Sequence, residues 1–286
     1  MWPASPRNPG SSTVSDAAEK YILATGGPGA HRLRLLHEAY GPGTAAMLQR
    51  AGLHTGQRVV ELGCGTGNIA CWVAEQVGPE GFVVGIDLSP DQIAEARRLA
   101  ESRGLTNLEF RVADAYDPQL PAATFDLAYC RAVLSHLAEP RMALRAMQSL
   151  VRPGGVVACE ELELGTWLCE PPSMAMTQFA EWMGLLGAEH GANFRLGVEL
   201  HPLMREAGLS VSGVGANYPL VLQGEVKRLL WLTLNEFAPE LVRAGLASQA
   251  HVDRVAAEML TVADDHTTLV GLLLLVQIWA IQPSNQ

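Results

Sequence analysis

Four features at fixed spacing can do chemistry together. Gly63-Cys64-Gly65-Thr66-Gly67 makes a glycine-rich turn directly after Val59-Val60-Glu61-Leu62. Glycines there permit a tight turn, close approach of a ligand to the backbone and close helix-strand packing. Nicotinamide- and flavin-binding folds share such turns, but their fingerprint is G-x-G-x-x-G. Here the third glycine falls one residue early and Asn68 holds the later place. Glu61 suits a pyrophosphate at a helix N-terminus poorly and a cationic group well. Asp87 ends the next β-branched run, where a carboxylate can accept both hydroxyls of a ribose. Asp114, in Val112-Ala113-Asp114-Ala115, ends the run after that. It can accept from an exocyclic adenine amine while the backbone of Ala113 and Ala115 reads the ring edge. An adenosine with a positively charged amino-acid tail and no phosphate meets all these requirements.

The elements that must position these groups follow from alternating β-branched runs and helical patterns, the signature of βαβ units. Strands are expected over Gln57 to Leu62, Phe82 to Asp87, Leu108 to Ala113, Phe125 to Cys130 and Gly154 to Glu161. Helices are expected over Asn68 to Val77, from the Ser89-Pro90-Asp91 cap to about Arg103, and over Pro140 to Leu150. Later segments read as a helix from Gly197 to Ala207, a strand from Val211 to Leu222 and a last strand near Leu272 to Gln282. His31 to Ala51 has apolar residues at helical spacing. The expected division is a loose tail over 1–15, a helical cap segment over 16–55, a core over 56–164, a helical insertion over 165–195, core again over 196–222, a helical cap over 223–268, and a final strand and tail over 269–286.

The matching words Val-Val-Glu-Leu-Gly-Cys-Gly-Thr-Gly-Asn at 59–68, Gly-Ile-Asp-Leu-Ser at 85–89, Ala-Asp-Ala at 113–115, Phe-Asp-Leu-Ala-Tyr-Cys-Arg at 125–131 and Leu-Val-Arg-Pro-Gly-Gly at 150–155 together resemble the class I S-adenosylmethionine-dependent methyltransferases. Their order and spacing agree over roughly residues 55–165. The resemblance implies an α/β fold, a Rossmann-like doubly wound sheet of seven strands that is mostly parallel with the last strand antiparallel, plus helical cap insertions. It implies S-adenosylmethionine as cofactor and S-adenosylhomocysteine as product. Cofactor contacts carry over to Glu61, Gly63, Cys64, Gly65, Asn68, Asp87, Leu88, Gln92, Asp114, Ala115 and the backbone of Arg131. The whole chain is similar to bacterial small-molecule methyltransferases that include ubiquinone and menaquinone C-methyltransferases and natural-product tailoring enzymes. In those, a Tyr-x-Leu segment and an N-terminal helix close over the cofactor, and Tyr21-Ile22-Leu23 and Arg32 to Tyr40 stand there. A glutamine common in that helix is absent, and Leu36-His37 takes its place.

A sulfonium makes its methyl electrophilic, so the protein must mainly align a nucleophile and exclude water. The expected base candidates lie at the carboxyl ends of strands four and five: His136, set against a packing role, and Glu160, since strand alternation turns one of Glu160 and Glu161 toward the pocket. His37, Trp167, Phe179 and Trp231 are the expected acceptor-pocket residues, set against a reading of the Trp/Met-rich stretch as core. His190, His201, His251 and His266 lack ligand spacing, so no metal is expected. Five cysteines without a C-x-x-C pair read as reduced thiols.

Composition narrows the partners. Thirty acids against twenty bases give a net charge of −10, the wrong balance for tracking phosphates, so no nucleic acid is expected. Leu269 to Ile281 is too short to span a membrane, and residues 1–15 lack the apolar stretch of a signal peptide, so a cytoplasmic protein is expected. The expected partner is a small acceptor, and a homodimer is allowed. Two other readings keep the cofactor: a cyclase that transfers no methyl group, and a non-catalytic binding module.

Overall fold

The computed structural model describes residues 26–284. Expectations for residues 1–15 and Tyr21 lie outside them. Strands β1 (Arg58–Leu62), β2 (Phe82–Asp87), β3 (Leu108–Val112), β4 (Phe125–Arg131) and β5 (Val151–Glu163) join β7 (Ser210–Asn217) and β10 (Leu274–Ile281) in one sheet of order β3-β2-β1-β4-β5-β10-β7. Neighbours from β3 to β5 run parallel, and β10 is antiparallel to both β5 and β7. This is the expected doubly wound seven-stranded arrangement. The chain leaves β1 towards β2 and β3, then returns to place β4 on the other side. In such sheets ligands bind outside the carboxyl ends of the strands at the switch point.

Alternation along the strands feeds two cores. Val60, Leu62, Val84 and Ile86 pack with α4 (Pro140–Leu150) and α6 (Leu196–Glu206) on one face. Val59, Val83, Leu127 and Tyr129 pack on the other with α2 (Asn68–Val77), α3 (Pro90–Ser102) and the end of α1 (Gly26–Arg50). Ser89 caps α3, its side chain accepting from the Gln92 amide with Pro90 following. A third core joins α5 (Met174–Glu189), α7 (Leu229–Arg243) and α8 (Gln249–Asp264) to Leu35 and Tyr40 of α1. All five cysteines are free and buried. Among the described residues no helix is long and apolar enough to cross a membrane.

Three strand expectations need correction. Val211 to Leu222 is two strands, because Pro219 has no amide to continue the ladder. β7 stops at Asn217, and β8 (Leu220–Val221) enters a second sheet of order β6-β9-β8 with β6 (Leu168–Glu170) and β9 (Leu269–Gly271). The last strand starts at Leu274 instead of Leu272, since the Leu272 amide turns aside to the Pro219 carbonyl and the Leu273 carbonyl accepts from the Tyr40 hydroxyl. β5 absorbs the expected Arg152-Pro153-Gly154-Gly155 turn through a register shift against β4, and Gly154 donates to the Gln282 carbonyl.

Gly67 joins β1 to α2 at a φ of 77°, and a Cβ there would stand 2.6 Å from Phe110 and 2.8 Å from Ala96. Gly67→Ala is expected to lower unfolding stability by about 2–5 kcal/mol, from left-handed strain plus overpacking. Denaturant titration would read this, and a stability equal to wild type would contradict the packing described.

Candidate active site

Every turn that reaches the carboxyl edge near β1 is pinned by backbone donors. Gly63 and Gly65 take φ values of 66° and 52°, and a Cβ on Gly63 would stand 2.3 Å from Val133. Side chains are therefore excluded where the turn meets the loop after β4. Cys64 is buried, its amide bonded to the Ile86 carbonyl, and the Asn68 amide side chain donates to Thr66. Asp87 ties the turn to β2: one carboxylate oxygen accepts from the Gly65 amide and the other from the Ser89 amide, each at 2.9 Å. Burial raises its pKa, opposed by these amides. Each oxygen keeps a further lone pair for a hydroxyl. Leu88 beside it is half-buried, and Gln92 one turn on is buried with its side-chain carbonyl oxygen lacking a partner. Asp114 accepts from the Tyr116 amide at 2.8 Å, which folds a turn after β3 and leaves Asp114 and Ala115 half-buried at the edge.

Glu61 sits beneath this turn. It is 4% exposed, and its Oε2 is buried without a hydrogen-bond partner. Burial pushes its carboxyl up to about 8, the Arg131 charge and the Ala70 amide acting the other way. A buried carboxylate with an open lone pair, beside a glycine turn that a Cβ would fill, fits an ammonium group. The residues present thus fit an adenosyl ligand with a cationic tail.

The same face of the sheet carries a buried polar belt. Glu160 is fully buried: Tyr129 donates to its Oε1 at 2.6 Å, and Gln277 and Asn217 donate to its Oε2 at 2.7 and 3.3 Å. The two amides also hold α1, Asn217 through the Tyr40 carbonyl and Gln277 through the Gly43 carbonyl. Arg131 reaches the same helix at the Thr44 hydroxyl, 3.1 Å away. Burial, and after it the Arg131 charge, lowers His37 on α1 to about 4, and His37 Nδ1 is buried without a partner. α1 therefore lies across the carboxyl edge, with Leu33 reaching within 4.0 Å of a Cβ built on Gly65.

Glu161 points to the opposite face and is also fully buried. Its oxygens accept from the amides of Val133, Leu134 and Ser135 at 3.2, 2.9 and 3.0 Å. It thereby caps the short 3-10 turn Leu134–His136 and holds the loop after β4. Burial raises its carboxyl to about 7 against those donors. Ala132, at a φ of 50°, makes the sharp bend into that loop and donates to the Glu160 carbonyl. Alternation does separate the two acids, but both are committed to internal partners and neither lines open space. Sequence reasoning missed Glu161 as the loop's anchor and Tyr129, Asn217 and Gln277 as partners of Glu160. Adjacent acids at a strand end were the only signal.

His136 is half-buried, its ring edge-on to Phe194 at 5.0 Å. Burial, then the Arg32 charge, lowers it to about 4, so the imidazole is neutral at physiological pH. Trp167 and Trp231 are half-buried against the cap core. Phe179 corrects its expectation as a pocket wall: it is 2% exposed and packs 5.8 Å from Phe237, inside that core. The glycine turn, the three strand-end acids, Arg131 and His37 come together, whereas Phe179 does not join them. Among the described residues no three His, Cys, Asp or Glu side chains gather as metal ligands.

Comparison with known proteins follows the same region. Aklanonic acid methyltransferase DauC from Streptomyces is 38% identical over 120 residues, 41% of this chain and 54% of that protein. A ubiquinone biosynthesis O-methyltransferase from Cereibacter sphaeroides is 35% identical over 158 residues, 54% of this chain and 60% of that protein. The chain thus spans little more than half the length of these relatives. Among solved structures, the 4+2 cyclase SpnF shares the fold at a TM-score of 0.53 and 24% identity, over 85% of this chain and 80% of that one. The family described as a methyltransferase domain matches residues 53–208, from before β1 through α6, a stretch that holds the glycine turn, all three strand-end acids and the buried Glu160 and Glu161 of β5. With more than half of its length inside that match, the chain belongs to the methyltransferase-domain family.

Proposed function

We propose that the protein transfers a methyl group from S-adenosylmethionine to a small-molecule acceptor of the kind met in secondary metabolism or cofactor synthesis. The observation that carries this reading is Glu61, a buried carboxylate with an unpartnered oxygen directly beneath a glycine turn. In this reading Glu61 holds the ammonium of the methionine tail, with Arg131 and His37 beside it. Asp87 receives the ribose hydroxyls with Gln92 beside it, Leu88 and Ala115 flank the base, and Asp114 meets the adenine. Bound there, S-adenosylmethionine supplies an electrophilic methyl carbon. The chain's own contribution is alignment and exclusion of water, with α1 closing the edge and the loop after β4 presenting His136. A neutral His136 can accept a hydrogen bond from an acceptor's hydroxyl, although its lowered pKa makes it a weak base. Nucleic acid has no part in this scheme, and neither does a metal.

Incubating the full chain with methyl-labelled S-adenosylmethionine and a panel of small aromatic and polyketide-like acceptors tests the reaction. Labelled product with equimolar S-adenosylhomocysteine is expected; product without S-adenosylhomocysteine would select a cyclase instead. Asp87→Ala should weaken cofactor binding at least about tenfold in calorimetry, since a hydrogen bond to a charged group contributes about 1.5–3 kcal/mol. Unchanged affinity would remove Asp87 from the site.

Protonation gives a further expectation. Glu61 at about 8 holds its proton at neutral pH in the ligand-free protein and must release it to pair with an ammonium. Affinity for S-adenosylmethionine should therefore rise as pH climbs toward about 8, and Glu61→Gln should abolish the rise. Ligand-free stability moves the opposite way. A carboxyl raised in the folded state favours folding while protonated, so stability should fall as pH passes from the ordinary carboxylate range through about 7 for Glu161 and about 8 for Glu61. Thermal midpoints across that range, compared with those of Glu61→Gln, read the effect.

A further inference from the structure

Among the described residues, and apart from those assigned to the cofactor, one buried cation carries a donor with nothing to bond. Arg32 on α1 is 4% exposed. Its Nε donates to Glu236 on α7 at 2.8 Å, while its Nη2 is buried without a partner. Leaving a buried donor unsatisfied is costly, more so when it is charged. The Nε to Glu236 contact uses only one edge of the guanidinium.

The position of Arg32 ties this donor to the site. Leu33, the next residue, lies against Gly65 of the glycine turn. The charge of Arg32 is felt by His136, on the loop after β4. Arg32 thus stands next in sequence to a residue that meets the turn assigned to the cofactor, and its charge reaches the loop after β4. The ring of His136 packs edge-on to Phe194.

We propose that Arg32 orients the methyl acceptor by binding an oxyanion on it, a carboxylate or an enol or phenol already ionised at neutral pH, through Nη2. This rests on the methyl-transfer reading above. A guanidinium presents N–H groups in a planar fork that matches such oxygens. With one oxygen held by Arg32, a lone pair on a carboxylate's second oxygen, or on the nucleophilic atom conjugated to the held oxygen, forms the bond to the methyl carbon. The carbon-sulfur bond breaks at the same time and its electrons remain on sulfur. An anion and a sulfonium become a neutral methylated product and a neutral thioether, with no proton to remove when the nucleophile is the ionised carboxylate. That accords with His136, which burial and Arg32 hold at about 4, too weak a base to be needed for much proton removal.

Calorimetric titration of the full chain with S-adenosylhomocysteine, and then with benzoate, naphthoate and nitrophenolate alongside the matching carboxamides, tests the assignment. Wild type should prefer at least one of the oxyanions over the neutral carboxamides by about tenfold or more, and the carboxylates and nitrophenolate separate the two kinds of oxyanion. Arg32→Gln should erase that preference. Arg32→Lys, which keeps the charge beside Glu236, should retain part of it, and S-adenosylhomocysteine affinity should be unchanged in both variants. The proposal is overturned if no oxyanion binds, if carboxamides bind equally well, or if Arg32→Gln keeps the preference. Failure of S-adenosylhomocysteine to bind wild type would instead overturn the methyl-transfer reading, and the oxyanion preference is scored separately in titrations without it.

Discussion

Two adjacent carboxylates buried in the middle of a sheet set the terms for everything around them. Neither Glu160 nor Glu161 has any exposed surface, and an ionised carboxylate removed from water costs far more than folding can spare unless several donors meet it. The chain meets the demand in opposite directions. Glu160 draws in three side chains from β4, β7 and β10, two of which go on to hold the backbone of α1. Glu161 draws in three consecutive amides and so dictates the path of the loop after β4. The helix that covers the carboxyl edge and the loop that borders it are therefore placed by neighbouring residues of one strand.

The acidic excess of the sequence takes on a different meaning in this light. Part of it is internal. Glu61, Asp87, Glu160 and Glu161 lie within a few strands of one another, with Arg131 as the cation among them on the α1 face. Their roles separate by how completely each is satisfied. Glu160 is fully bonded and serves the fold, Asp87 spends one lone pair per oxygen on the glycine turn, and Glu61 keeps an oxygen wholly open. Among these four acids, Glu61 is the one with a buried oxygen that lacks a partner.

Local patterns carried most of the core into view before any coordinates. The glycine turn, the Ser89 cap and the β-branched runs place α2, α3 and β2 within a residue of their observed ends, because turn chemistry and capping are short-range effects. What stayed hidden depends on partners far along the chain. Gln277 lies 117 residues from Glu160 and Asn217 lies 57 residues from it, so nothing near Glu160 announces that it is satisfied. The small sheet of β6, β8 and β9 joins three segments of two or three residues, too short for alternation to register. Phe179 and Trp167 come from one stretch of sequence, yet one is core and the other half-exposed. Composition could not tell them apart.

The placement of β10 between β5 and β7 has a consequence for how the molecule comes into being. Among the described residues β7 has no hydrogen-bonded neighbour in the sheet except β10, and the edge of β5 that β10 covers has no other partner. During synthesis more than a hundred residues must emerge after β5 before that edge can be covered. Over the same interval Glu160 waits for the Gln277 amide. The parallel half of the sheet can assemble early, but its exposed edge is then a template for pairing with other nascent chains. Closure of the sheet, the seating of α1 and the satisfaction of Glu160 belong to one late event, which makes the arrival of β10 the step on which a productive, unaggregated molecule depends.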